Sequence, residues 1–353
     1  MAWYDNNWDY RKKVTLTETS GSTLSNYSVH LNISFVSGHM NSDFSDLRFT
    51  SSDGTTLLDY WIESYTASTS ANIWIKVPTI TASTTTNIYM YYGNSGASTT
   101  SNIKTTFVIG DDFNDGSIDT SIWVQDSEAN FLGGNASQTE SGGLFYTQYG
   151  GIWSNLNTIG DGHAWKARLK WQGTFRTGTY VGVGFGVPNS NNNYTGTYAT
   201  RNLFVLADDN LTQKPMYNNT VKGTLAGASS GTFYDFEGKS SGGYAQITFN
   251  GTSWTQASGV AMSGSNRFGV YSEHWSGSPT SYIDYCFVRK YTSSEPTYSI
   301  GSEESSGPDF TKFQINISDS WKQCAGMKIN IGDSWKEVSS AKINIGDSWK
   351  TII

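Results

Sequence analysis

Short runs of alternating apolar and polar residues recur along most of this chain, and they restrict it to β structure. Examples are residues 28–33, 58–62 and 71–77. Because successive side chains of a strand point to opposite faces, a period of two indicates half-buried strands. Clusters of Gly, Ser, Thr and Asn separate the runs, as turns do, and Ser51-Ser52-Asp53-Gly54 has the composition of a hairpin turn. No run follows the 3.6-residue period of a helix, so we predict an all-β protein.

The length of 353 residues exceeds that of one ordinary sandwich, so at least two hydrophobic cores are expected. Shifts in composition divide the chain into four predicted parts. They are a first sandwich at 1–104, a second at 105–302, a linker at 303–309 and a repetitive tail at 310–353.

The first part resembles the domain of unknown function called DUF2341. Five segments carry the resemblance, and they are residues 8–14, 46–49, 58–63, 73–78 and 88–94. The resemblance implies a β-sandwich module of surface proteins. It implies no established activity.

The second part opens with residues 111–119 and closes with residues 282–291. Five strand-like runs lie between them, at 165–171, 180–185, 233–237, 245–251 and 267–271. This order resembles a concanavalin A-like lectin/glucanase jelly roll. Trp165, Trp171 and Phe185 alternate within these runs, which favours a place in the core. The expected fold class is therefore two jelly-roll-like β-sandwich domains followed by a hairpin repeat.

The tail contains a repeat of 14 residues. Ile-Asn-Ile-Gly-Asp-Ser-Trp-Lys occurs twice, and Ile-Asn-Ile-Ser-Asp-Ser-Trp-Lys begins the series at Ile315. We predict one hairpin per unit, with Gly-Asp-Ser as the turn. Cys324 takes the place of Val338 and Ile352, so it is expected to be a small core residue. A single hairpin cannot bury its own apolar face, so the tail is predicted to anchor, stack or oligomerise the protein. The repeat is similar to those that end bacteriophage structural proteins.

Composition excludes several partners. The formal net charge is −7 and no basic run offsets it, which argues against nucleic acid. No stretch approaches the ~20 apolar residues of a membrane span. The two cysteines, Cys286 and Cys324, lie in different predicted parts, so a disulfide is not expected. The first residues lack the pattern of a signal peptide, so we expect a trimmed leader or release by lysis, as for virion proteins.

Two patterns suggest catalysis, and both have simpler interpretations. Gly332-Asp333-Ser334 matches the start of an esterase signature, but it recurs in the repeat without a following His, so a turn is favoured. Asp235 and Glu237 are two residues apart on one predicted strand, as the carboxylates of jelly-roll glycanases are. The full glycanase pattern of three acids is absent from the sequence. We therefore predict that the protein is not an enzyme.

A structural Ca²⁺ is a second possibility. In jelly rolls of this type, calcium often sits where the first and last strands meet. Asp112, Asn114, Asp115 and Asp284 would supply the hard oxygen ligands that Ca²⁺ prefers. The alternative is that Asp115-Gly116 forms a turn and Asp284 pairs with a basic residue. The four histidines are dispersed and show no zinc spacing.

Aromatic residues in polar loops are the candidate glycan-binding residues, because aromatic faces stack on sugar rings beside hydrogen-bonding groups. They are Tyr194, Tyr198, Trp254, His274 and Trp275.

The resulting hypothesis is a virion-surface or extracellular adhesin. Its sandwiches bind a cell-surface glycan, and its tail joins other virion proteins or further copies of the chain. Weak single sites would gain avidity by multivalent display. Two alternatives stay open: a purely structural capsid or tail decoration protein, and a glycoside hydrolase or lyase with an atypical site.

Overall fold

A computed structural model describes most of the chain. The described residues are 3–125, 137–173, 179–187, 200–207, 212–218, 220–259, 262, 266–274 and 280–306, together with six short strands of the tail. Tyr194, Tyr198, Trp275 and Cys324 lie outside them. The fold is all-β, with two sandwiches and a hairpin tail, and it confirms the predicted fold class.

The first sandwich has two sheets. Its strands are β1 Tyr10–Thr17, β2 Leu24–Ser34, β3 Arg48–Thr50, β4 Tyr60–Thr66, β5 Ser70–Ile80 and β6 Thr85–Tyr92. One sheet orders β2-β5-β4, and β1, β6 and β3 are neighbours in the other. The alternating apolar residues of both sheets meet in one core, in which Leu31, Ile73 and Val14 are completely buried. The predicted turn at 51–54 is confirmed, since Ser51 N–H donates to Thr56 O at 2.8 Å.

The fourth strand of the second sheet comes from far along the chain. It is β21 Thr297–Ser305, and it pairs antiparallel with β1. The predicted boundaries at 302 and 303–309 are therefore wrong, because 297–305 complete the first sandwich instead of ending the second or forming a linker. The second sandwich is thus inserted between β6 and β21 of the first.

The second sandwich contains the remaining strands up to β20. The one short helix among the described residues, α1 Ile103–Thr106, precedes them. The strands are β7 Ile109–Asp111, β8 Trp123–Gln125, β9 Ser137–Ser141, β10 Leu144–Ser154, β11 His163–Gln172, β12 Thr179–Val187, β13 Thr200–Ala207, β14 Gln213–Tyr217, β15 Thr220–Val221, β16 Tyr234–Ser241, β17 Tyr244–Phe249, β18 Thr252–Gln256, β19 Arg267–His274 and β20 Thr280–Lys290.

These strands form two layers that share β10. The first part of β10 pairs with β9 and β20, and its second part pairs with β8 and β19. We call the layer of β9, β20, β11, β16, β17 and β18 the joint layer. The opposite layer contains β19, β12, β13, β14 and β15. Trp165, Trp171 and Phe185 are buried between the layers, which confirms their predicted place in the core.

An aromatic joint connects the two sandwiches. Trp61 and Trp74 of the first sandwich pack against Tyr285 and Phe287 of β20, and all four side chains are buried. Phe107 stacks on Phe287 with ring centroids 4.0 Å apart. Because these rings are removed from water on both sides, the joint holds the first sandwich against the joint layer.

The tail forms three separate two-stranded sheets. They are β22 Gln314–Ile317 with β23 Ser320–Gln323, β24 Lys328–Ile331 with β25 Ser334–Glu337, and β26 Lys342–Ile345 with β27 Ser348–Thr351. One hairpin per repeat is confirmed. The predicted turn was one residue too long, because Ser320, Ser334 and Ser348 pair within the return strands. Among the described residues, no helix has the length and apolar character needed to cross a membrane.

Candidate functional site

Alternation along β11 places basic side chains on the outer face of the joint layer. Trp165, Ala167 and Leu169 point into the core, so Lys166 and Arg168 point outward. Lys170, two residues further on, shares their face. A single strand thus presents three cations in a row.

The neighbouring strand β16 supplies carboxylates at the matching positions. Its register sets Glu237 opposite Lys166 and Asp235 opposite Arg168. The Arg168 guanidinium lies 3.6 Å from the Asp235 carboxylate and 3.1 Å from the carboxylate of Asp284 on β20. Arg168 therefore links two acids from the strands on either side of it.

Glu237 is also paired with cations. Its carboxylate lies 3.1 Å from Lys239 Nζ and 3.7 Å from the buried guanidinium of Arg289. Lys166, although opposite Glu237 in the sheet, forms its ion pair with Glu63 of the first sandwich. Lys166, Arg168, Asp235 and Glu237 thus each lie beside an opposite charge.

Glu63 connects the joint to the site. Its side chain is buried, and it accepts hydrogen bonds from Trp74 Nε1 and from the Tyr285 hydroxyl, both at 2.7 Å. Burial alone would raise the pKa of Glu63, but Lys166 and these donors together hold it below its usual value. The Tyr285 hydroxyl also lies 3.3 Å from Asp235, so the joint is next to an acid of the outer face.

A pocket of ≈ 410 Å³ opens on this face beside the joint. Its lining combines cations, carboxylates, small polar groups and aromatic rings. The lining residues are Lys166, Arg168, Phe233, Tyr234, Asp235, Phe236, Glu237, Thr248, Asn250 and Gly251. The Phe233 ring lies at one end, with Lys170 Nζ 4.7 Å and the Arg168 guanidinium 5.6 Å from its centroid. Hydrogen-bond donors and acceptors around the Phe233 ring suit a ligand rich in hydroxyl groups.

The structure describes two of the five predicted glycan-binding residues, Trp254 and His274, and neither lines this pocket. Trp254 lies within β18, opposite Ile247, and packs against the core. Its predicted place in a polar loop is therefore wrong, because the residues after the turn at Asn250-Gly251 form a strand that pairs with β17. His274 is the last residue of β19. Tyr194, Tyr198 and Trp275 are outside the described residues, and their predicted role stays a prediction.

Two of the predicted calcium ligands pair with different basic residues, and the calcium site stays a prediction. Asp115 contacts Lys104 Nζ at 2.7 Å, whereas Asp284 contacts Arg168. Asp112 is half-buried and Asn114 is exposed. Within the described ranges, no group of three or more His, Cys, Asp or Glu side chains could hold a metal ion. Asp115 and Asp284 are thus each paired with a basic residue, which was the alternative interpretation for Asp284.

An unpredicted acid, Glu140, lies beside the residues proposed for calcium. It is buried at the end of β9 and accepts a hydrogen bond from Gly116 N–H at 2.8 Å. Burial, and then the neighbouring carboxyl of Asp115, raise the pKa of Glu140 to about 7. Nothing in the local sequence distinguishes Glu140 from an exposed acid before a hairpin turn.

Burial and nearby carboxylates also raise the pKa of Asp284, against the opposing charge of Arg168. Sequence reasoning singled out Asp284 for a different role. It missed Phe233, Thr248 and Asn250 as pocket residues. The sequence indicated a strand followed by Asn-Gly. It did not indicate that β16 and the end of β17 line the same pocket, because that depends on how the two strands pair.

Residues 43–126 match the family model described as domain of unknown function DUF2341. The predicted resemblance is confirmed for that segment, which starts later and ends later than the predicted part at 1–104. The search of curated proteins gave no match.

Several solved structures are similar to part of the chain. The carbohydrate recognition domain of Emp47p is 11% identical, with a TM-score of 0.42, over 52% of this chain and 94% of that chain. A β-glucanase of Bacillus licheniformis is 9% identical, with a TM-score of 0.38, over 52% of this chain and 98% of that chain. Alginate lyase A1-II' is 13% identical, with a TM-score of 0.37, over 49% of this chain and 96% of that chain.

Proposed function

We propose that this protein is a non-enzymatic surface protein that binds glycans through its second sandwich and is anchored to a virion by its tail. The observation that carries glycan binding is the pocket at Phe233 and Asp235. The pocket combines the Phe233 ring with charged and neutral hydrogen-bonding groups on a sheet. The joint fixes one wall of this pocket before any ligand arrives, which lowers the entropic cost of binding.

Each type of group in the pocket has a part in recognition. The edge of the Phe233 ring or its open face offers apolar contact to the C–H groups of a sugar. Asp235 is half-exposed and accepts hydrogen bonds from hydroxyl groups, while the Asn250 amide both donates and accepts. Water-bridged contacts are expected around them, so one site binds weakly.

The main alternative is a glycoside hydrolase or lyase that uses Asp235 and Glu237. Both residues are on the outer face of β16, two positions apart, a separation of about 7 Å along a strand. Inverting glycosidases place their two carboxyl groups at comparable distances. One of the two acids must be protonated to act as general acid. Here each carboxylate is held in an ion pair, Asp235 with Arg168 and Glu237 with Lys239, which argues against catalysis.

An array of neutral and acidic glycans probed with the full chain tests the proposal. We expect at least one glycan to bind, and Asp235→Asn to weaken that binding. Asp59→Asn is the matched control, because Asp59 is an exposed acid on the first sandwich. A silent array would refute glycan binding and favour the purely structural decoration protein.

Turnover of a polysaccharide panel tests the enzyme alternative. We expect no release of reducing ends or unsaturated products from any member of the panel. Turnover that Asp235→Asn or Glu237→Gln abolishes would overturn the proposed absence of catalysis.

The proposal for the tail rests on its repeated hairpins. In the described strands of the tail, each repeat pairs with itself, so the outer backbone edges of these strands are available to further hairpins of the same kind. Deleting residues 307–353 leaves both sandwiches and β21 intact, and we expect the shortened chain to fold but no longer to co-sediment with particles. Retention of the shortened chain on particles would contradict an anchoring role.

A further inference from the structure

A row of aromatic side chains crosses the outer face of the joint layer and ends at the pocket. Tyr146 of β10 is directly opposite Tyr282 of β20, and Tyr282 is opposite Lys170 of β11. Phe233 comes just before β16, next to Lys170. The row is thus set by strand register, with one residue from each successive strand.

Contacts within the row are continuous. The rings of Tyr146 and Tyr282 meet edge to face, with centroids 5.0 Å apart at 75°. Lys170 Nζ lies 4.9 Å from the centroid of Tyr282 and 4.7 Å from that of Phe233. All four side chains are half-buried, so they expose part of their surface while neighbours hold them in place. A row of partly exposed rings has no use in the core, which lies on the other side of the layer.

The length of the row exceeds that of one sugar. Four adjacent strands are separated by three spacings of about 4.8 Å, so the row extends about 14 Å before it reaches the pocket. A monosaccharide in the pocket would leave Tyr146 and Tyr282 uncovered. An oligosaccharide that lies across the strands would contact the whole row.

The charges beside the row indicate an uncharged ligand. Arg168 is already paired with Asp235 and Asp284, and the side chains of these two acids are 50% and 43% exposed. Lys170 is the cation next to them, and its nitrogen rests between two rings. The carboxylate of an acidic sugar would meet two exposed carboxylates for this one cation, whereas hydroxyl groups can donate to both acids.

We propose that Tyr146, Tyr282 and Phe233 form, with the pocket, one extended binding surface for an uncharged oligosaccharide. This inference rests on the proposed glycan binding and specifies the length and charge of the ligand. The rings contact successive sugars, and Lys170 donates to hydroxyl groups between them. Asp235 and Asn250 bind the sugar at the pocket end.

Titration calorimetry with chain-length series tests the inference. The probes are neutral gluco- and manno-oligosaccharides of one to six units, together with oligogalacturonates of the same lengths. We expect affinity for a neutral series to rise over the first units and then level off. We expect Tyr282→Ala to reduce affinity for long ligands by about 2- to 10-fold, the value of one aromatic contact, while leaving the monosaccharide unaffected.

Two control variants keep the result interpretable. Tyr282→Phe keeps the ring and is expected to bind as the wild type does. Tyr65→Ala removes an aromatic side chain, 52% exposed, from the first sandwich and is expected to have no effect. Equal melting temperatures for the three variants and the wild type exclude a general loss of folding.

The outcomes separate this inference from the broader proposal. Preference for oligogalacturonates, or equal affinity for one unit and six, would refute the extended neutral surface while glycan binding stands. Loss of binding in Phe233→Ala without any effect of Tyr282→Ala would do the same. If neither these probes nor the glycan array show binding, the proposed function itself fails.

Discussion

Replacing Glu63 by leucine should destabilise the protein strongly, because this one carboxylate satisfies three donors at the joint. The Glu63 side chain is 7% exposed and lies against Lys166, the Trp74 indole N–H and the Tyr285 hydroxyl. Leucine fills a similar volume but removes the acceptor of Lys166 and of the Trp74 indole N–H, and it leaves the Tyr285 hydroxyl only the more distant Asp235 carboxylate. Removing one partner of a buried pair costs about 3–5 kcal/mol, so we expect the free energy of unfolding to fall by that amount.

The assay is equilibrium unfolding in urea, followed by tryptophan fluorescence. Trp61 and Trp74, two of the 13 tryptophans, are in the joint, so its opening contributes to the change in emission. Asp59→Asn, which changes an exposed acid, is expected to shift the free energy of unfolding by less than about 0.5 kcal/mol. A loss below about 1 kcal/mol for Glu63→Leu would refute the conclusion that the joint depends on this carboxylate.

Two further changes test the packing and the titration of the second sandwich. Gly238→Ala would place a Cβ 2.3 Å from Trp165 Nε1, so we expect a lower melting temperature, equivalent to a loss of about 1–3 kcal/mol. Gly227→Ala, with open space around it, is the control and should change the melting temperature little. Equal stabilities of the two variants would contradict the packing described for Trp165. The pKa of Glu140 is raised by burial to about 7, so its protonated form favours the folded state, and that stability is lost as pH rises from about 4.5 through 7. From pH 5 to pH 8, the free energy of unfolding in urea should therefore fall by about 1–3 kcal/mol more for the wild type than for Glu140→Gln. The comparison with this variant cancels the opposite pH trend of the histidines. Parallel pH profiles of the two proteins would count against a buried acid.

Much of the fold follows from local sequence. The alternating run at 71–77 lies within β5, and the closing run at 282–291 largely coincides with β20. In such segments the period of two determines both the strand and the face that is buried. The tail hairpins follow from their repeat for the same reason, apart from the exact extent of the turn.

Long-range pairing accounts for what the sequence did not predict. β21 is almost entirely exposed, so it lacks the alternation that marks a half-buried strand, and its partner β1 is nearly 300 residues away. The ion pair of Glu63 with Lys166 likewise joins two sandwiches. Local patterns describe which residues form strands, but the sheet in which a strand ends depends on the whole fold.

The sequence predicted the types of residue in the candidate site better than their positions. Aromatic residues next to amide and carboxylate groups were expected, and the pocket has this composition. Trp254 was assigned to a polar loop, whereas it lies in β18 and packs against the core. Tyr282 and Tyr146 were hidden within strands, where an outward aromatic residue looks the same as a core residue until the register is known.

Calorimetry of the intact protein with neutral oligosaccharides of increasing length tests the central claim most directly. The account predicts binding that strengthens with chain length and weakens in both Asp235→Asn and Tyr282→Ala, with no hydrolysis of the ligand during the titration. Binding that neither substitution alters, or cleavage of the titrated oligosaccharide, would contradict it.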